Sequence, residues 1–252
     1  MFVTAKIIDN KTIHVLDKTQ FDWFAIRNSG QIFLDPPCEI LEEKDKIIIK
    51  ATGDKNSKWL WNYFDFDTNY NEIKKELMQF KSLHKPIKAG AGIRILRQPF
   101  VQTVISFIIS ANNNIKRFTK TLGQIDFENL EKYSEEDFKK MGAGYRAPYL
   151  VKAILQQKQM DVKLLSKLNN EELRKELQKI TGVGPKVCSC IMLFCSEFHR
   201  LDVAPVDTWI KKAIEQLGEK DAEVMFSHRY GGVAQQYIFY YLQNLRKELK
   251  KE

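Results

Sequence analysis

Along this chain the spacing of apolar residues changes once, near residue 59, and that change excludes most architectures. Before it, TIHVLD, FDWFAI, QIFLD, CEILEE and KIIIKAT are short β-rich runs separated by the turn-forming NSG, DPP and KDK. They predict a small antiparallel sheet. From about Trp59 the period lengthens, and NYFDFDTNYNEIKKELMQF reads as an extended entry followed by a helix capped by Asn71. Beyond HKPIKAGAG, read as a linker, the pattern is almost entirely helical. The expected fold is α+β, with a β-sheet domain over residues 1–90 and a helical domain over 91–252.

The helical part carries its own punctuation. FVQTVISFIISA is nearly continuous apolar and predicts a central buried helix. SEEDFKKMG opens on a Ser cap and stops at Gly142. NNEELRKELQKITG has an Asn cap, an acidic first turn and basic later turns, and is read as ending at Gly182. KVCSCIMLFC and DTWIKKAIEQL follow, and a last helix begins near Val233. No repeat at solenoid spacing and no low-complexity tract interrupts this order.

Charge narrows the partner. Among 252 residues, 40 Lys and Arg face 32 Asp and Glu, a net charge of +8 that favours a polyanion such as nucleic acid. No apolar run approaches the ~18 residues of a membrane span, so the chain is expected to be soluble and intracellular with reduced thiols. Three of its four cysteines stand in VCSCIMLFC. On a helix, neighbours two apart point to nearly opposite sides, which suits buried free thiols rather than a zinc site.

The segment LQKITGVGPKVCSC concentrates the functional signal. Helix, glycine-rich turn and second helix follow in order, with Pro185 fitted to the first turn, where its missing N–H would be unpaired anyway. Gly182 and Gly184 let bare backbone approach whatever docks there, and the free N–H groups of a helix start suit a phosphate. Such contacts position DNA without reading its sequence. Lys186 follows directly. The positive end of the helix dipole disfavours an ammonium, and Val187, Ile191 and Leu193 predict a dry setting, so the residue is read as an activated amine nucleophile. A lysine reaching into solvent is the plainer alternative. Downstream, Asp207 in VAPVDTWIKKAI is both a helix cap and a candidate proton carrier, with Pro205 stiffening its approach.

At these residues the chain resembles the helix-hairpin-helix (HhH-GPD) DNA glycosylases, and within them the 8-oxoguanine DNA glycosylase/AP lyases. ITGVGPKVCSC, APVDTW, GIRILRQPFVQTVISFIISANNNIKRF, MGAGYRAPYL and YGGVAQQYIFYYL match family segments in the family's order, and WNYFDFD resembles the end of its TBP-like sheet domain. The resemblance implies double-stranded DNA containing oxidised guanine as partner, no cofactor or metal, and a bifunctional reaction. Lys186 would be the nucleophile and Asp207 its acid/base partner. Tyr145 would wedge into the gap left by the flipped base, while Arg146, Asn112 and Arg117 would contact the orphaned cytosine. Phe239 and the Cys190 side of the catalytic helix would sandwich the base, with Phe194 and Pro205 in the pocket and Gln235 on its Watson–Crick edge. Elementary chemistry agrees, because a base inside a duplex must be rotated out before it can be reached.

Four departures stand out. DKTQFDWF has no glycine near Gln20, where many relatives use a glycine carbonyl to recognise the oxidised base. Trp209 replaces a histidine of eukaryotic relatives, and Phe194 an aliphatic residue. No cysteine follows Cys195, so the iron–sulfur cluster of neighbouring branches is not expected. A monomeric, cytoplasmic, nucleoid-associated enzyme of a prokaryotic cell fits the compact length. Two rivals remain open: a monofunctional alkyl-base glycosylase in which Asp207 activates water, and a non-catalytic hairpin protein that only binds DNA.

Overall fold

The computed structural model describes residues 5–111, 115–206, 210 and 219–248. Four strands, β1 (Ala5–Ile7), β2 (Thr12–Val15), β3 (Cys38–Glu42) and β4 (Ile47–Ala51), form an antiparallel sheet in the order β1-β2-β4-β3. Its register is set by the alternation: Ile13 pairs with Ile49 and Val15 with Ile47, and all four are buried. Even in the run KIIIKAT only alternate isoleucines enter the core, with Ile48 on the other face and partly exposed. Leu60, Tyr63 and Phe64 cover the inner face, where Phe64 packs edge-on against Phe21 and Tyr63.

Two predicted strands are absent. FDWFAI contains α1 (Trp23–Arg27), because the Asp22 side chain accepts from the Ala25 N–H and so starts a helix that alternation alone conceals. QIFLD forms no strand. After the sheet come α2 (Ser57–Tyr63), α3 (Tyr70–Leu77) and α4 (His84–Ala89). The cap of α3 is Asn69, not Asn71, since the Asn69 carbonyl oxygen accepts from the Asn71 and Glu72 N–H groups. The expected linker is helix α4 itself. Pro86 lies within its first turn, where a proline costs no intrahelical hydrogen bond.

The chain separates into two compact units, Met1–Arg97 with Arg200–Glu252, and Gln98–His199. The reading from sequence instead draws one boundary, near residue 90. In the first unit α4 packs on the helix Gly231–Glu248. Also in this unit is the helix Glu219–Phe226. The second unit contains α5 (Phe100–Ser110), α6 (Ile115–Leu122), α7 (Glu135–Lys140), α8 (Ala147–Lys158), α9 (Val162–Leu165), α10 (Asn170–Leu177) and α11 (Pro185–Phe194). α5 is its buried centre, in contact with α6, α8 and α11, and Phe107 stacks on Phe194 with ring centroids 5.5 Å apart. Where this unit begins and ends the chain runs side by side, as Gln98 N–H donates to the Phe194 carbonyl and Ser196 N–H to the Gln98 carbonyl. Among the described residues no helix is long and apolar enough to cross a membrane.

Candidate active site

The hairpin is built from α10 and α11. Asn169 caps α10 with a capping box closed by Glu172. The helix ends at Leu177, five residues before the expected Gly182, so the connecting turn is longer than GVGP. Ile180 and Val183 plug this turn into the core, and Gly182 reverses it at φ +89°. A side chain there would be strained by the backbone and would meet Tyr149 Cβ at 3.2 Å and Ile108 Cγ2 at 3.3 Å. Gly184 is different, with an ordinary φ of −84° and open space where a Cβ would stand. The fold therefore requires the first glycine and not the second.

Gln156 of α8 grips the turn from outside. Its Oε1 accepts from the Thr181 N–H at 2.8 Å, and its Nε2 donates to the Lys179 carbonyl at 3.1 Å. Arg174 holds the two hairpin helices together by donating to Ser189 Oγ at 2.8 Å. Neither residue is legible as part of the site from sequence, because each looks like a polar position on an amphipathic helix.

Lys186 occupies the second position of α11 and is exposed. The dry setting expected from its neighbours is not what the structure shows. Gly184, Pro185 and Lys186 all stand out of the core, and burial begins only at Val187. The amine is accessible. Cys190 and Phe194 follow at intervals of four residues, so the three lie in one row along α11. Both of the latter are buried, Phe194 against Phe107. Burial also pushes the Cys188 thiol up.

A second cluster lies in the same unit. Tyr145 sits in the short 3-10 turn Gly144–Arg146 and is 59% exposed. The buried Arg146 guanidinium lies 4.3 Å from the centroid of the Tyr145 ring and donates through Nε to the Ala111 carbonyl at 2.9 Å. Arg117 Nε donates to the Gly142 carbonyl at 3.2 Å. Tyr145, Arg146 and Arg117 are thus brought together next to Ala111, the C-cap of α5. Asn112, which follows it, lies outside the described residues, as do Asp207 and Trp209.

The remaining predicted residues belong to the first unit. Gln235 and Phe239 share one face of the helix Gly231–Glu248, one turn apart. Gln235 is buried and its Oε1 accepts from Gln236 Nε2 at 2.9 Å; Phe239 is half-buried, and Pro205 is buried. Gln20 is buried in the 3-10 turn Lys18–Gln20, donating to Asp17 at 2.9 Å. Burial acts to raise the Asp17 carboxyl, but hydrogen bonds from Thr19 and Gln20 outweigh it and hold it below the usual range.

Residues 5–104 match the 8-oxoguanine DNA glycosylase N-terminal domain. The 8-oxoguanine glycosylase/lyase of Clostridium acetobutylicum, in its apo form, is 30% identical over 94% of this chain and 99% of that one, with a TM-score of 0.82. The chain belongs to the 8-oxoguanine DNA glycosylase/lyase family. The same clostridial family member, bound to double-stranded DNA with cytosine opposite 8-oxoguanine, matches at a TM-score of 0.84 and 29% identity over 96% of this chain and 99% of that one. N-glycosylase/DNA lyase OGG1 of Arabidopsis thaliana is 34% identical over 56% of this chain, an alignment that spans 44% of the plant protein. A probable N-glycosylase/DNA lyase of Methanothermobacter thermautotrophicus is 25% identical over 84% of this chain and 77% of its own length. The α+β architecture expected from sequence is that of this family.

Proposed function

We propose that this protein removes 8-oxoguanine from duplex DNA and cuts the strand, using Lys186 as nucleophile. The observation that carries the reading is an accessible amine at the first turn of α11, directly behind the glycine hairpin. In its uncharged form the amine attacks C1′, the bond from C1′ to the base breaks, and the base leaves with its electron pair and gains a proton. Opening of the sugar ring gives a Schiff base between Lys186 and C1′. Loss of a C2′ proton then expels the 3′ phosphate by β-elimination, and water returns the free lysine. Asp207 serves as the proton carrier and electrostatic partner. Tyr145 fills the vacated space, offsetting part of the few kcal/mol that extrusion costs. Arg146, Asn112 and Arg117 favour cytosine as the opposite base, Gln235 bonds the Watson–Crick edge, and Phe239 and the Cys190 side of α11 each supply a face for the base.

Borohydride reduction during turnover on an 8-oxoguanine duplex should trap a covalent protein–DNA adduct. Lys186→Gln should lose trapping and cleavage while keeping damage-dependent binding. A variant that still nicks would assign the nucleophile elsewhere. Excision rates should be highest opposite cytosine, and equal rates against all four bases would remove that part of the proposal.

A further inference from the structure

Tyr149 stands between the two clusters of the second unit. On one side its ring meets that of Tyr145 edge to face, with centroids 6.3 Å apart and planes at 80°. On the other, a Cβ built on Gly182 would lie 3.2 Å from Tyr149 Cβ, so the hairpin turn passes beside the root of this side chain. Tyr149 lies in the first turn of α8, four residues after Tyr145, which places the two rings side by side.

The Tyr145 ring is mostly in solvent, and a wedge that swings freely must be ordered when the base is extruded, at a cost in entropy. Its second neighbour is the Arg146 guanidinium. In the proposed function Arg146 engages the opposite base, so Tyr149 is the contact that stays with the wedge. The helix beneath Tyr149 is firmly seated. Two turns further along α8, Gln156 accepts from the Thr181 N–H and donates to the Lys179 carbonyl. α8 is therefore fixed to the hairpin turn at two places, just ahead of Lys186.

We infer that Tyr149 is a positioning residue for base extrusion, fixing the Tyr145 ring relative to the hairpin that carries Lys186. The inference rests on the proposed function. Its consequence is selective, because a stacked base must be displaced whereas an abasic nucleotide has none to unstack. Tyr149→Ala removes the ring but keeps the Cβ that faces Gly182, leaving the hairpin undisturbed. With enzyme in saturating excess over an 8-oxoguanine duplex, it should slow excision about three- to tenfold, the strength of one edge-on aromatic pair. Strand cleavage at a preformed abasic site should stay near wild type.

Tyr149→Phe should restore excision, since the ring and not the hydroxyl makes the contact. In a Tyr145→Ala background, Tyr149→Ala should cause no further loss, as expected of a residue that acts through the wedge. Tyr149→Leu keeps bulk without an aromatic ring, should show the same selective loss, and covers the case where the alanine variant folds poorly. Wild-type excision by both Tyr149→Ala and Tyr149→Leu would overturn the inference, as would equal loss of excision and abasic-site cleavage, or additive losses in the double variant. Loss of excision in Tyr149→Phe would also overturn it, making the hydroxyl a direct contact to DNA. A wild-type enzyme that leaves 8-oxoguanine in place would overturn the function itself, a result read before any variant is made.

Discussion

Arg94 is fully buried, and its guanidinium is held by backbone rather than by a facing carboxylate. It donates to the carbonyls of Phe64 at 2.8 Å, Gln20 at 3.2 Å and Thr68 at 3.0 Å, and to that of Asp65, and it lies 4.3 Å from the Tyr70 ring centroid and 5.0 Å from that of Phe66. One side chain thus joins the turn bearing Gln20 to the chain on either side of Asp65. Its own carbonyl is a partner of Gln31, which flanks Gly30. Replacing it with methionine leaves buried carbonyls unpaired and should cost about 3–5 kcal/mol, the scale of a broken buried charge cluster. Thermal unfolding should fall by roughly 10 °C. An unchanged midpoint would show that these bonds contribute nothing net. The sequence segment IRILR gives no hint of this role, because burial of a charge depends on carbonyls distant along the chain.

Elements whose ends are fixed by neighbouring residues were legible; those fixed by distant ones were not. The Ser134 and Asn169 side chains accept from N–H groups two or three residues on, and their own N–H groups donate to the carboxylates of Asp137 and Glu172, so the starts of α7 and α10 can be read from sequence. α7 also stops as read, with Gly142 at φ +96° just after its cap, but the end of α10 is harder, since the turn that follows it is set by Ile180 and Val183 finding the core. α1 and α4 are hidden because one is a short, β-prone apolar run and the other a short helix that contains Pro86 and closes on Gly90. At the hairpin the proposed nucleophile can be picked from its motif, but its exposure cannot, because apolar neighbours in sequence turn inward beyond the first turn. The two hairpin glycines should separate stability from binding. Gly182→Ala should lower the unfolding temperature by several degrees, through strain and contact with Tyr149 and Ile108. Gly184→Ala should leave stability unchanged, since its Cβ meets nothing, and should weaken binding to duplex DNA if a phosphate approaches that backbone. Equal stability loss in both would contradict the geometry of the turn.

At the scale of the whole molecule, the second unit is an excursion from the first, leaving at Gln98 and returning at His199, with hydrogen bonds between its two ends. Periodicity cannot reveal such a return, because it records which face of a helix is apolar and not which distant element covers it. Net charge survives this limit. A chain with +8 binds duplex DNA largely by releasing counterions, so the logarithm of affinity should fall linearly with the logarithm of salt concentration. For six neutralised phosphates the loss between about 50 and 200 mM salt is on the order of a thousandfold. This slope also distinguishes two roles for Lys186. A lysine that clamps a phosphate removes about one unit of slope when replaced by glutamine. A lysine aimed at a sugar carbon contributes no such unit, so Lys186→Gln should keep the wild-type slope while cleavage disappears. A reduced slope together with residual cleavage would make the residue a phosphate contact and return the search for the nucleophile to the rest of the chain.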